Sequence, residues 1–174
     1  MFYKLLAKLL DYPDAALFAE LPKLHGVLRQ GFEAGEWLVL ERFMKELCAG
    51  EMTDAQAAYV QTFDLTPEHA LHLTHHLFGD DKNRGPALID LTEFYKEYGL
   101  TMAANDGSTN ELPDYLPLML EFSAQLDASE ARMFLSQWSK VLNQLASNLE
   151  EAQSPYAPLI RLVERRSQLV RAAA

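Results

Sequence analysis

A histidine-rich stretch holds the residues most able to do chemistry in this chain. Four of the five histidines in the chain lie in the segment from His69 to His76. If the stretch is one helix, His72 and His76 lie four residues apart on the same face, a spacing that can hold a divalent metal. Leu73 follows His72, so the HExxH pattern of zinc peptidases is absent. No third ligand is evident, and a helical metal-binding protein using the His69–His76 cluster, with His72 and His76 as candidate ligands, stays an alternative.

Residue patterns that would support catalysis are missing from the sequence. A di-iron helical bundle needs Glu-x-x-His on two helices, and no such pair exists. The chain also has no glycine-rich phosphate loop, no Gly-x-Ser-x-Gly and no Cys-x-x-Cys. Nothing places a nucleophile beside a base. The sequence therefore predicts a binding protein and no enzyme; an enzyme acting on a small ligand between helices is the remaining alternative.

A second group of polar residues lies in the stretch Glu111–Phe122, ELPDYLPLMLEF. It follows a polar run, 103–110, which is predicted to be a flexible loop. We expect the stretch to open a helix with Pro113 in its first turn and Asp114 near the positive end of the helix dipole. Its leucines recur at helical spacing. This pattern places three polar side chains next to a buried face: Asp114, Tyr115 and Glu121.

Helical periodicity extends along the whole chain, and no stretch alternates at period two long enough to indicate a sheet. Capping boxes are predicted at Thr53 and Asp127. The pattern predicts a single domain over 1–174, an all-α bundle of about eight to nine helices. The predicted helices cover 2–10, 14–32, 36–49, 53–63, 66–79, 85–98, a segment from 111, 127–150 and 159–170.

Composition restricts the partners and the compartment. The 174 residues carry a net charge of −10, which disfavours nucleic acid and anionic membranes and suits a basic peptide. The single cysteine, Cys48, is predicted to be a core residue, and its isolation favours a reducing compartment. No window is apolar enough to span a membrane, so we expect a cytoplasmic protein. The last predicted helix is basic, and it is interpreted as a solvated face, with docking on acidic residues left open.

Ordered motifs in the first two thirds of the chain resemble one family, the cytoplasmic chaperones that assemble molybdenum-containing nitrate reductase. This NarJ group lies within the wider TorD/DmsD chaperones, which are all-helical. Its signature has His where this chain has Tyr115. The matching segments are Leu9–Asp14, Tyr59 to Asp64, Leu71–Leu73, Phe78–Asp80, Arg84 to Tyr95 and Glu111–Phe122.

The resemblance implies a client protein as the ligand. The family binds the N-terminal leader of the apo catalytic subunit, a twin-arginine signal or its vestige, and keeps that subunit competent for molybdenum cofactor insertion. No cofactor would be bound permanently, and the chain would be a monomer or weak homodimer. The 103–110 loop would be a hinge for exchange between protomers or a segment that admits the client. A basic, apolar leader would suit a groove with an acidic rim. The expected contact residues are Asp114, Tyr115, Glu121, Glu111, Asp64, Asp90, Tyr59, Phe63 and Arg84.

Overall fold

Ten α-helices make up most of the computed structural model, which describes residues 1–27, 32–79, 81–100 and 111–168. Within those ranges there is no β-strand, so the predicted all-α class is confirmed. None of these helices is long and apolar enough to cross a membrane. The predicted 103–110 loop lies outside the described residues. The helices are α1 Phe2–Leu10, α2 Ala15–Val27, α3 Ala34–Ala49, α4 Met52–Tyr59, α5 His75–Phe78, α6 Arg84–Glu97, α7 Leu116–Ser123, α8 Ala128–Ser136, α9 Ser139–Glu151 and α10 Ala157–Gln168.

The core forms where α1 packs along α7 and where α9 packs along α10. α1 has the bounds that its sequence pattern predicts, and Leu6 and Leu10 on its apolar face are completely buried. α7 faces it with Leu116 and Leu120, which are equally buried. Each such leucine stabilises the fold by about 1.5–3 kcal/mol relative to an exposed position. The pairing of α1 with α7 places the end of α1 beside the segment that precedes α7.

Basic side chains of α10 dock on acidic residues of this chain. The Arg161 guanidinium donates to both carboxylate oxygens of Glu150 at 2.8 Å. Arg166 makes the same bidentate contact with Glu36 on α3 and lies 4.6 Å from the centre of the Phe2 ring. These side chains therefore fasten α10 to α9, α3 and α1. Cys48 is exposed, so its predicted place in the core is wrong.

Several predicted helices differ from the structure in their boundaries; α3 begins at Ala34 and α6 covers Arg84–Glu97, shifts of one or two residues. The helix predicted from Thr53 begins at Met52, so Thr53 is not its N-cap, and it ends in a π-helical turn, Val60–Asp64. The predicted helix 127–150 is two helices, because the N–H groups of residues 137 and 138 bond three residues back and end α8. The capping box at Asp127 is confirmed. The last helix begins at Ala157, before its predicted start at residue 159.

The segment predicted as helix 66–79 departs most from expectation. It contains a 3-10 turn, Pro67–His69, and the single-turn α5. Between them, His72 pairs with Tyr115 in an isolated antiparallel bridge. The Leu73 N–H donates to the Asp114 carbonyl at 3.0 Å, and the Leu116 N–H donates to the Leu71 carbonyl at 2.9 Å. These tertiary bonds replace the intrahelical bonds, so the predicted continuous helix is wrong.

The same bridge moves the start of the helix predicted from residue 111. Tyr115 is extended, with φ −69° and ψ 119°, and is the N-cap of α7. Pro117 lies in the first turn, whereas Pro113 and Asp114 precede the helix. Asp114 therefore does not occupy the predicted position in the first turn of a helix. Its carboxylate is available to a different set of partners.

We predict that Gln153→Gly stabilises the protein by about 0.5–1 kcal/mol in urea unfolding, because a left-handed backbone costs a non-glycine residue about 1–2 kcal/mol. Gln153 has φ 53° and follows α9 in a Schellman motif, with its N–H bonded to the Glu150 carbonyl and that of Ser154 to the Leu149 carbonyl. Gln153→Ala is the control, since it keeps the strain. Equal stability of the glycine and alanine variants would contradict the argument.

Candidate functional site

A fully buried carboxylate, Asp114, lies at the centre of the candidate site. Its Oδ1 lies 3.2 Å from His72 Nδ1. Its Oδ2 accepts hydrogen bonds from the backbone N–H of Thr74, at 3.1 Å, and from the Thr74 hydroxyl. Arg84 Nη2 lies 3.5 Å from the same oxygen, and Arg84 Nε donates to the Thr74 hydroxyl at 3.0 Å. The carboxylate thus has partners on both oxygens.

These partners keep Asp114 ionised. Burial by itself would raise the pKa of the carboxyl, but the hydrogen bonds from His72 and Thr74 outweigh burial and hold the pKa below its ordinary value of 3.8. A buried charge without such partners would cost several kcal/mol. Asp114 is therefore a structural anion that positions the residues around it.

Asp114 and its neighbour Pro113 connect three parts of the chain. Through Thr74 the carboxylate fixes the start of α5, and through Arg84 it fixes the start of α6. About three turns later in α6 the buried Tyr95 hydroxyl donates to the Pro113 carbonyl at 2.7 Å. Arg84, an expected contact residue, is a partner of the buried carboxylate in this arrangement.

A cavity of about 460 Å³ opens beside this network. It contains five of the expected contact residues, and it combines three carboxylates with four aromatic rings. Carboxylates suit a cationic ligand, and aromatic faces attract guanidinium and ammonium groups when they are close to the ring. The lining residues are Asp11, Tyr12, Tyr59, Phe63, Asp64, Leu71, His72, Glu111 and Tyr115.

Two tyrosine hydroxyls connect the cavity wall to the end of α1. Tyr115 donates to Asp11 Oδ1 at 3.0 Å, and the Tyr59 oxygen lies 2.8 Å from that of Tyr115 and 3.1 Å from the Leu10 carbonyl. Burial raises the pKa of both phenols far above the ordinary value, and nearby Asp11 adds to the effect. Both therefore stay protonated and neutral at physiological pH.

The remaining expected residues lie outside the cavity. Asp114 is buried behind it and offers no surface to a ligand. Glu121 is exposed on α7 and does not line the cavity, and Asp90 lines a separate cleft on α6. The expected acidic rim is therefore not one groove. Asp11 and Tyr12 are lining residues that were not among the expected contacts, although the Leu9–Asp14 motif contains both.

The histidines bond to different partners, and the helical spacing on which the alternative metal site depends is absent. His72 lies against Asp114, whereas His76 Nε2 is 2.7 Å from the Ala70 carbonyl and His69 Nδ1 is 3.2 Å from the Thr62 carbonyl. Burial lowers the pKa of His76. His72 and His76 do not share a helix face, because residues 70–74 are not helical. Across the described ranges, no three His, Cys, Asp or Glu side chains are grouped to hold a metal ion.

Comparison with known sequences gives one family. The profile of the nitrate reductase delta subunit family matches residues 28–161. The chain is 34% identical over 161 residues to the nitrate reductase molybdenum cofactor assembly chaperone NarJ of Escherichia coli (strain K12), covering 91% of this chain. It spans 66% of that relative's length, just under two thirds.

Other relatives extend the similarity. The chain is 32% identical to a protein assigned as the NarJ chaperone of Bacillus subtilis (strain 168), covering 92% of this chain and 85% of the relative. It is 30% identical to the perchlorate reductase assembly chaperone of Dechloromonas aromatica (strain RCB), covering 91% of this chain and 74% of that protein. A crystal structure assigned to redox enzyme maturation, from Archaeoglobus fulgidus, has the same fold, with a TM-score of 0.59 at 20% identity over 94% of this chain and 90% of that one.

We predict that Asp114→Asn lowers the free energy of unfolding by about 3 kcal/mol at pH 7, because the amide cannot replace an ionised acceptor for His72, Thr74 and Arg84. Folding lowers the pKa of the Asp114 carboxyl, so its ionised form stabilises the fold. This stabilisation is fully present when the pH is above the ordinary pKa of 3.8, and it is lost as the pH falls through the pKa of the folded state. Urea unfolding from pH 7 to below pH 3.8 measures both effects.

The matched control for this variant is Glu121→Gln, which neutralises an exposed carboxylate close to Asp114 in sequence. We expect its stability to stay within about 0.5 kcal/mol of the unmodified protein. A similar loss in the two variants would contradict the structural role of Asp114. The argument would also be contradicted if the difference in free energy of unfolding between Asp114→Asn and the unmodified protein did not decrease at acidic pH.

Proposed function

The chain belongs to the nitrate reductase delta subunit family, and from this premise we propose that it is an assembly chaperone for the molybdenum-containing catalytic subunit of a nitrate reductase. Its relatives in Escherichia coli and Bacillus subtilis are named as molybdenum cofactor assembly chaperones. The chain acts by binding and release, with no covalent bond made or broken. The molybdenum cofactor is inserted into the client and is not a resident group of the chaperone.

The proposed ligand is the N-terminal leader of the apo catalytic subunit. The observation that carries this proposal is the cavity in which the carboxylates of Asp11, Asp64 and Glu111 surround aromatic side chains. A leader with basic residues next to an apolar face is complementary to such a cavity. The net charge of −10 also attracts a cationic segment over longer distances.

Each part of the cavity has a proposed role in leader binding. The carboxylates at Asp64 and Glu111 are exposed and accept hydrogen bonds from an arginine or lysine of the leader. The ring centres of Tyr59 and Phe63 lie 4.8 Å apart, and the two rings form a rigid apolar wall for the hydrophobic side chains of the leader. Tyr115 holds Asp11 in place through its hydroxyl. Leader binding in this cavity keeps the apo-subunit available for cofactor insertion before it reaches its final location.

The proposed chaperone works in the cytoplasm, as a monomer or weak homodimer. Cofactor insertion has to precede the final assembly of the client, so the protein that holds the leader acts where the apo-subunit is made. No step of the proposal requires a membrane contact by this chain.

We predict that Asp64→Lys and Glu111→Lys each weaken leader binding about tenfold, since each replaces an attractive charge with a repulsive one in a partly enclosed cavity. Calorimetric titration with the N-terminal peptide of the catalytic subunit from the same organism measures the affinity. The unmodified protein is expected to bind at one saturable site, more weakly as salt increases. The double variant is expected to show a flatter salt dependence.

Two controls accompany the titration. Glu121→Lys makes the same charge change on the exposed face of α7, outside the cavity, and is expected to bind the leader within about twofold of the unmodified chain. A peptide of the same composition in scrambled order tests whether binding depends on sequence. Equal weakening by Glu121→Lys, or equal binding of the scrambled peptide, would refute specific capture in this cavity.

A further inference from the structure

The π-helical turn Val60–Asp64 carries part of the cavity in which we propose that the client leader binds. Phe63 and Asp64 lie within the turn, and Tyr59, the last residue of α4, precedes it. π-helical turns are uncommon and occur frequently at functional sites. The place of these side chains in the cavity therefore depends on how the turn is held.

A proline prevents the turn from continuing with the same hydrogen-bond pattern. The Leu65 N–H donates to the Val60 carbonyl at 3.0 Å, which is the five-residue spacing of a π-helix. At this spacing the Thr62 carbonyl would accept from residue 67, but Pro67 has no N–H. A carbonyl in such a position is satisfied by a side chain or by water.

Two side chains that follow the turn cap its carbonyls. The Thr66 hydroxyl donates to the Gln61 carbonyl at 3.0 Å. His69 Nδ1 lies 3.2 Å from the Thr62 carbonyl oxygen. Because a carbonyl oxygen can only accept, Nδ1 carries the proton and donates this bond. His69 is buried, so the bond is largely shielded from competing water.

His69 is held in place by its own turn and by α9. It ends the 3-10 turn Pro67–His69, and its backbone N–H donates to the Thr66 carbonyl at 2.9 Å. The Asn148 side-chain amide of α9 donates to the Glu68 carbonyl at 2.9 Å. The imidazole therefore reaches the π-helical turn from a segment that is anchored on α9.

We propose that His69 is a positioning residue for leader binding, and that it acts by donating from Nδ1 to the Thr62 carbonyl. This bond fixes the backbone immediately before Phe63 and Asp64, and so holds the ring and the carboxylate where a leader meets them. His69 does not line the cavity and acts only through the turn. The proposal rests on the proposed function, because it assigns a further residue to the same site.

Three variants separate the hydrogen bond from the bulk of the side chain, with leader affinity measured by calorimetric titration. His69→Leu removes the donor and is expected to weaken binding about tenfold, because the Thr62 carbonyl loses its partner. His69→Asn places an amide N–H near the position of Nδ1 and is expected to bind within about threefold of the unmodified protein. His75→Leu makes the same change at a histidine outside the cavity and is expected to leave the affinity unchanged.

A double-mutant cycle tests whether the effect passes through the turn. Asp64→Lys is expected to weaken binding about tenfold in the unmodified protein, but only about twofold in His69→Leu, because the side chain at position 64 is no longer held at the cavity. Glu111→Lys changes a carboxylate outside the turn, and we expect it to weaken binding about tenfold in both backgrounds. A substitution at position 69 that only destabilised the fold would leave both effects unchanged.

Another variant tests the same connection if His69→Leu does not fold. Asn148→Ala removes the anchor of the 3-10 turn at a half-buried position of α9, where alanine favours the helix. We expect it to weaken leader binding about threefold with an unchanged urea midpoint. Hydrogen exchange of the Leu65 N–H, which closes the π-helical turn, is expected to be faster than in the unmodified protein.

The outcomes separate this inference from the proposed function. If the unmodified protein does not bind the leader, the proposed function fails and the inference fails with it. If the unmodified protein binds the leader and His69→Leu binds it equally well, or His69→Asn binds as weakly as His69→Leu, the inference is overturned and leader capture stands. Equal weakening by Asp64→Lys in both backgrounds also overturns it, as do an unchanged affinity and an unchanged Leu65 exchange rate in Asn148→Ala.

Discussion

The arrangement of the whole candidate site depends on the burial of one ionised carboxylate. Asp114 is fully buried, and several kcal/mol would be lost if its charge had no partners. The fold supplies those partners from Thr74, His72 and Arg84, which are distant in sequence. Because the Thr74 backbone N–H donates to Asp114, it does not bond the Ala70 carbonyl as it would in a continuous helix. One electrostatic requirement therefore sets the bridge to Tyr115, the start of α7 and the position of α6.

This requirement divides the acidic residues of the signature segments into two kinds. The Asp114 carboxylate bonds to partners within the protein, so its substitution first lowers the stability of the fold. Asp11, Asp64 and Glu111 are exposed around a cavity, and their carboxylates are available to a ligand. Arg84 and Tyr95 belong with Asp114, because both hold α6 against the 113–114 segment. Loss of the proposed leader binding in a variant thus has two distinct physical origins, which a stability measurement separates.

Local signals in the sequence were sufficient for much of the fold. The bounds of α1 and the cap at Asp127 depend on residues within one or two helical turns, and both were predicted correctly. The segment 66–79 was predicted wrongly because its hydrogen bonds go to residues about forty positions away. For the same reason the sequence grouped Asp114 and Glu121 as one contact surface, although burial of the first and exposure of the second are tertiary properties. Tyr59, Phe63 and Asp64 share the cavity because the helix and its π-helical turn keep them together.

Tyr115 shows how one departure from the family signature changes the electrostatics of the cavity. A histidine there would titrate near neutral pH. The phenol instead has a raised pKa, stays neutral, and donates to Asp11. His72, whose ring centre lies 5.2 Å from that of Tyr115, is the one imidazole among the lining residues, and it already contacts Asp114. The charge that the cavity presents to a cationic ligand is therefore set mainly by its carboxylates.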